Sequence, residues 1–254
     1  MASGEKQSNA SLYSTLSSVQ YKAGCSFVET LELKLGDKVL DMGCGTGELT
    51  TYIAKQVGEL GKVIGVDPDH ARVQLSQENM KMVSNASFHV GNSESGFLNY
   101  YQAYFDLHYS NHVYHWLSNE EKAVYIKVAF QSLKPGGLIA VQCLAQPDDD
   151  IDNRLIESAL GKSVSSKIHF AEGSSSKELL RDVGFTEVDV RIIPSVTYYS
   201  SFKVYAESFL AAGYTDIEEL PDKKLLEEFQ LKSIEKDGRV KSKYNLIQIK
   251  GRKS

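Results

Sequence analysis

The stretch Lys38-Val39-Leu40-Asp41-Met42-Gly43-Cys44-Gly45-Thr46-Gly47-Glu48 constrains this chain more than any other. Val39 and Leu40 suit a strand covered on both faces, and Leu49, Ile53, Gln56 and Val57, with Tyr52 beside them, recur at helical spacing directly afterwards. Strand, tight turn and helix are therefore packed into about twenty residues. Glycines at 43, 45 and 47 strip side chains from the turn, so a ligand can lie against the backbone while the helix N-terminus points at it. One glycine would mark only a helix start; three alternating glycines after an acidic strand end read as a ligand shelf. A dinucleotide fingerprint would need a glycine at position 48, and Glu48 stands there, which disfavours nicotinamide binding.

At 254 residues the chain is long enough for one large domain, or for a domain with an inserted cap. Its 42% hydrophobic and 24% charged content is that of a globular protein, and no apolar run reaches membrane-spanning length. No membrane partner is expected. Met1 to Ala10 is polar and lacks the apolar stretch of a secretory signal, so a cytoplasmic location is expected. Cys25, Cys44 and Cys143 show neither C-x-x-C nor zinc spacing and read as reduced thiols, with no metal expected. A net charge of −5 gives no general attraction for nucleic acid.

Along the chain, a helical pattern runs from about Ser11 to Leu33, ahead of the first strand. Lys62 to Asp67 reads as a second buried strand, with Asp67 then Pro68 also placed to start a helix as N-cap and first helical residue. Ser87 to Gly91 is a short third strand, and Asn92 to Ser95 opens the next helical segment. Tyr104 to Ser110 is a fourth strand. Ser118 caps a helix carrying Ala123, Ile126, Phe130 and Leu133, which stops at Lys134-Pro135-Gly136-Gly137, and Leu138 to Leu144 is the fifth strand. Regular alternation of strand and helix argues for a parallel sheet between helices. A helix from Pro147 to about Leu160 follows, then a serine-rich loop and a capping box, Ser175 with Glu178, for a helix ending at Gly184. In Phe185 to Ile193, Val188, Val190 and Ile192 alternate with Glu187, Asp189 and Arg191, the pattern of a half-buried strand near a sheet edge. Two helical segments, Ser201 to Ala212 and Pro221 to Lys236, precede a last strand at Tyr244 to Lys250.

The first stretch resembles the D-x-G-x-G-x-G motif of class I S-adenosylmethionine-dependent methyltransferases, and the resemblance extends over most of residues 37 to 250. It implies an α/β fold with a Rossmann-like, seven-stranded, mostly parallel sheet and helices on both faces. Residues 1–36 would form an N-terminal helical lid segment and residues 37–254 the methyltransferase domain, with a helical cap inserted at about 195–240. The implied cofactor is S-adenosyl-L-methionine, held by Asp41, Gly43, Cys44, Gly45, Asp67, Pro68, Asn92, Ser93 and Asn111. Asp67 stands where the family's ribose-binding carboxylate lies, and Asn92 where a side chain lies beside the adenine. A small-molecule acceptor is implied, with a monomer expected and a dimer left open.

Ser110-Asn111-His112-Val113-Tyr114-His115-Trp116-Leu117 is similar to the stretch after strand four in trans-aconitate and juvenile hormone acid methyltransferases, which methylate carboxylates of small acids. Ser18-Val19-Gln20-Tyr21 is similar to a segment of the second, whose Gln and Trp hold the substrate carboxylate. The resemblance thus implies catalytic roles for Gln20, His115 and Trp116 and substrate contacts for His112 and Tyr198. A carboxylate is already an anion at neutral pH and needs only donors, whereas an amine would need a base, for which His112 and His115 are available. O-methylation of a carboxylate is the expectation, small-molecule N-methylation the alternative, and a cofactor-binding protein without turnover a third reading. Phe202, Tyr205 and Phe209 sit at helical spacing and suit either a core face or an apolar lid.

Overall fold

A computed structural model describes residues 18–93, 103–146, 168–211, 227 and 231–254. The expected helices at 11–17 and 147–160, the segment after Ser93 and most of 221–236 lie outside the described residues.

Seven strands form one sheet: β1 (Lys38–Met42), β2 (Lys62–Asp67), β3 (Ala86–Val90), β4 (Phe105–Asn111), β5 (Leu133–Leu144), β6 (Phe185–Tyr199) and β7 (Val240–Lys253). Their spatial order is β3-β2-β1-β4-β5-β7-β6, and only β7 runs against its neighbours. The order reverses between β1 and β4, and in open α/β sheets such a switch point leaves a crevice beyond the carboxyl ends of the strands.

Strand alternation divides the core between the two faces. Val39, Val63, Leu107 and Tyr109 pack with Phe27 and Val28 of α1 (Ser18–Glu29), with Leu31 just beyond it, and with Ile53, Ala54 and Val57 of α2 (Glu48–Val57). Leu40, Ile64, Val66, Ile139 and Val141 face the other way, toward Tyr125, Ile126 and Ala129 of α4 (Asn119–Ser132) and Leu180 of α5 (Gly173–Val183). Between them in sequence, α3 (His70–Asn79) packs Val73 on Phe88 and Cys44. The helix after the glycine turn buries Thr50, Ile53, Ala54 and Val57, while Gln56 of the expected stripe is exposed.

Several boundaries differ from the sequence expectation. Asp69, not Asp67, caps α3, its carboxylate accepting from the amides of Ala71 and Arg72, so Pro68 lies outside the helix. Ser118 does cap α4, in a complete capping box with Glu121. Ser175 lies inside α5, whose N-cap is Glu172, because the helix begins ahead of the serines that were expected to start it. It ends, as expected, at Gly184, at φ 113°. Strand β6 is the sheet edge but runs on to Tyr199, paired with β7 from Asp189 onward after a register shift beyond Thr186, so residues 195 to 199 are strand and not cap. Val188 and Val190 pack against the core, yet Ile192 is 49% exposed, and beyond it the half-buried positions are 193, 195, 197 and 199. That ribbon's covered side meets α6 (Phe202–Ala211), where Phe202 and Tyr205 pack with Tyr199 and Val240.

Candidate active site

The turn after β1 is built by hydrogen bonds from its neighbours. Gly43 and Cys44 both donate their amides to the Val66 carbonyl, at 2.7 and 3.0 Å, which hangs the turn on the end of β2. Gly43, Gly45 and Gly47 adopt φ of 83°, 55° and 90°, a region open to glycine and costly for side chains. At Gly43 a Cβ would collide with Val113, and at Gly47 one would come within 2.8 Å of the Phe88 ring. Asp67 ties the turn down from the side. Its Oδ2 accepts from the Gly45 amide and its Oδ1 from the Asp69 amide, each at 2.9 Å. Burial raises the Asp67 pKa against these two bonds and the nearby Arg72. Gly47 offers no side chain to cap α2, so the first amides of that helix point into the space above the turn.

A cleft of about 410 Å³, counting its open mouth, lies there. Gln20, Tyr21, Asp41, Gly43, Cys44, Thr46, Glu48, Leu49 and Asn111 line it. Asp41 is 2% exposed and accepts a 2.6 Å bond from the Thr50 hydroxyl. Burial, with a smaller contribution from Asp67, nevertheless lifts its pKa to about 7. The floor of the cleft thus holds a carboxylate that lacks a compensating cation from the protein's own nearby groups and is costly to ionise.

Beyond β4 the chain turns sharply. His112 sits at φ 58°, uncommon for a residue with a Cβ, and its amide donates to the Gln142 carbonyl at 2.7 Å. A 3₁₀ turn, Tyr114–Trp116, follows, its Trp116 amide donating to the Val113 carbonyl at 2.8 Å. His115 is fully buried; its ring meets His112 edge-on at 5.9 Å and lies tilted on Trp116 at 5.2 Å. Burial pushes the His112 pKa down to about 4 and that of His115 well below the ordinary range, with the neighbouring His112 and Lys122 adding to the second shift.

Of the residues singled out in the sequence, Gln20, Asp41, Gly43, Cys44 and Asn111 come together in the cleft wall. Gly45 and Asp67 are joined to that turn by their hydrogen bond. Exposed Pro68, exposed Asn92 and buried Ser93 stand at the carboxyl ends of β2 and β3, one and two strands further out. His112, His115 and Trp116 share the adjoining loop, which reaches the turn through Val113. Tyr198 is not brought to this cleft: it sits on the outer side of the β6/β7 ribbon, 48% exposed, with Arg239 and Lys241 over its ring at 5.0 and 5.9 Å. Tyr21, Thr46, Glu48 and Leu49 line the cleft unannounced. The signal for the last three was their place within and after the glycine motif, and for Tyr21 its adjacency to Gln20.

Comparison with known proteins agrees with this geometry. Residues 39–137 match the model of a family described as a methyltransferase domain. Over 123 residues the chain is 31% identical to the ubiquinone/menaquinone biosynthesis C-methyltransferase UbiE of Yersinia pestis, covering 47% of each protein. The chain thus spans about half the length of such relatives. The fold is that of YcgJ from Bacillus subtilis, with TM-score 0.66, 17% identity, and 91% of this chain and 98% of that one covered. It is also that of phosphoethanolamine N-methyltransferase 2 from Haemonchus contortus, solved with S-adenosyl-L-methionine, with TM-score 0.65, 14% identity, and 96% and 56% covered. Residues 39–137 thus match a methyltransferase domain, and these likenesses support a class I S-adenosylmethionine-dependent methyltransferase.

The cleft fits S-adenosylmethionine on its own chemistry. S-adenosylmethionine brings a sulfonium and an ammonium, and the cleft offers Asp41 and Glu48 against them, with amides rather than cations at Gln20 and Asn111. Among the described residues no cluster of histidine, cysteine or carboxylate side chains is arranged to hold a metal ion, and no helix is long and apolar enough to cross a membrane.

Proposed function

We propose that this protein transfers a methyl group from S-adenosylmethionine to the carboxylate of a small organic acid. When bound, the cofactor supplies an electrophilic methyl carbon open to in-line displacement. Asp41 balances the cofactor's positive charge from the cleft floor. Asp67 uses one acceptor site on each oxygen for Gly45 and Asp69 and retains others for ribose hydroxyls. Asn92 and Ser93 serve the adenine side, at the end of β3. On the acceptor side Gln20 and the Trp116 indole donate to the carboxylate, and the 112–117 loop keeps water from the reacting atoms.

What supports this reading is the packing of the two loop histidines: His115 is fully buried between His112 and Trp116, and burial lowers the basicity of both imidazoles. A base whose conjugate acid has a pKa of about 4, as at His112, takes up a proton at neutral pH only against about 4 kcal/mol. His115 is poorer still. Such a pair suits an acceptor that is already an anion and disfavours one that must lose a proton. UbiE is named for C-methylation and the Haemonchus enzyme for N-methylation, so the acceptor chemistry needs a direct test.

Labelled cofactor offered with panels of small acids, amines and phenols supplies it, run on the wild type and on the double variant His112→Asn, His115→Gln. Asn tolerates the left-handed backbone at position 112. Methyl esters as products, a rate without an essential deprotonation between about pH 6 and pH 9, and most activity kept in the double variant are the expected results. Methylated amines, with a rising pH limb lost in the double variant, would replace the carboxylate reading with base-assisted N-methylation. Cofactor binding with no transfer to any acceptor would leave a binding protein.

A further inference from the structure

Three amide side chains cross the sheet in one line behind the cleft. Asn111 on β4 is paired in register with Gln142 on β5, and Gln142 with Gln248 on β7. Gln248 Nε2 donates to Gln142 Oε1 at 2.8 Å, Gln142 Nε2 donates to Asn111 Oδ1 at 3.0 Å, and Asn111 Nδ2 donates to the Gln20 carbonyl at 3.1 Å. All three bonds run in one direction, toward α1. The helix fixes that direction. A backbone carbonyl can only accept, so Asn111 must turn its NH₂ to Gln20 and its oxygen to β5, and each amide behind it must then follow. Gln142 is 1% exposed, so a reversed partner there could not be relieved by water.

The helix end of the line is also where the cleft is closed. Gln20 and Tyr21 of α1 form one wall, and Asn111 another. Contact there is close: a Cβ on Gly24 would come within 2.6 Å of Leu49 and 2.9 Å of Asn111 Nδ2, and the Tyr109 hydroxyl donates to the Gly24 carbonyl at 3.3 Å.

We propose that Gln142 and Gln248 are positioning residues: their one-way amide line sets the orientation of Asn111 and so clamps α1 over the cofactor cleft. Gln248 acts here without lining the cleft. The inference rests on that cleft being the S-adenosylmethionine site, and its test separates the two ideas.

Gln248→Glu puts an acceptor where the line begins. Gln142 then turns its NH₂ to β7 and its oxygen to Asn111, which must turn likewise and face the Gln20 carbonyl with its own oxygen. Gln248→Lys places a donor at the same position and keeps the direction. Arg191, ion-paired with Asp189 at 2.7 Å, stands opposite position 248 on β6, so the glutamate variant faces a cation and an acid together and the lysine variant faces the same pair. The measurements are hydrogen exchange of residues 18–29 in the ligand-free protein and calorimetric affinity for S-adenosylmethionine.

Gln248→Glu is expected to speed α1 exchange and to weaken binding about tenfold, the loss of one neutral hydrogen bond to the clamp, while Gln248→Lys stays near wild type. Equal effects of the two substitutions, or none from the glutamate, would overturn the proposal. Asn111→Asp repeats the test from the other end should Gln248→Glu fail to fold, since it accepts from Gln142 but cannot donate to Gln20; unchanged α1 exchange in it would also overturn the clamp. If α1 exchange responds as expected but the wild type does not bind S-adenosylmethionine, the clamp stands and the cofactor reading falls.

Discussion

Asp41→Asn tests the floor of the cleft from two sides at once. The carboxyl is 2% exposed and its pKa stands at about 7 against an ordinary 3.8, because burial opposes its ionisation more than the Thr50 hydroxyl favours it. Between those values the folded protein holds a proton that the unfolded chain has released, so the stability of the ligand-free protein falls as pH rises from about 4 to about 7. At about 1.4 kcal/mol per pH unit, the residue accounts for a loss of about 4 kcal/mol across that window. Asparagine has nearly the same shape, can still accept from Thr50 and does not titrate. Urea unfolding of both proteins at intervals from pH 4 to pH 8 should therefore show the variant gaining on the wild type, by up to about 4 kcal/mol at the alkaline end relative to the acid end. Affinity should move the other way. A cationic ligand favours the ionised carboxylate, so wild-type affinity for S-adenosylmethionine should rise through pH 7, and the variant's should be low and lack that rise. A stability difference that does not change with pH would refute the claim that Asp41 is held as an acid by burial. A variant that binds as tightly as the wild type would refute its role against the cofactor's charge.

Asp67→Ala should lower cofactor affinity about ten- to a hundredfold by calorimetry. Because it also frees the amides of Gly45 and Asp69, the melting temperature should drop as well, and unchanged affinity would leave Asp67 as a brace for the turn alone. Gly47→Ala combines a left-handed backbone with a Cβ 2.8 Å from Phe88 and 3.0 Å from Ser76. It should cost about 2 to 4 kcal/mol in urea unfolding, and a loss below about 0.5 kcal/mol would show that the turn can relax there.

The sheet was legible because its strands obey local rules. Val39-Leu40 and Val63-Ile64 are apolar on both sides since both faces are covered. Element ends were less so. The capping residue of α3 was misread because Asp67 and Asp69 are equally good caps on paper; only the Gly45 amide, brought across from another strand, engages the first and leaves the second to the helix. Likewise β6 outran its expected end because its inward side changes at Ile193, where cover passes from α5 to α6, an event set by packing and not by local alternation. In the site, the glycine motif announced Asp41, Gly43 and Cys44, but Tyr198 was placed by analogy and lies elsewhere, under Arg239.

What the sequence could not show is that its two informative motifs are a single object. The space that a Cβ on Gly43 would fill is taken by Val113 from the loop after β4. For Val113 to reach it, the chain must reverse at His112, which explains a left-handed histidine held by the Gln142 carbonyl. The same reversal carries His115 inward until it is fully buried and its basicity is lost. The fit between glycine turn and loop therefore places the histidines where they are poor bases, and it joins the turn after β1 to the loop after β4 at the approach of Val113 to Gly43. Read from the sequence, the pair His112 and His115 suggested a base; read from the packing that Gly43 permits, burial holds both imidazoles neutral at neutral pH.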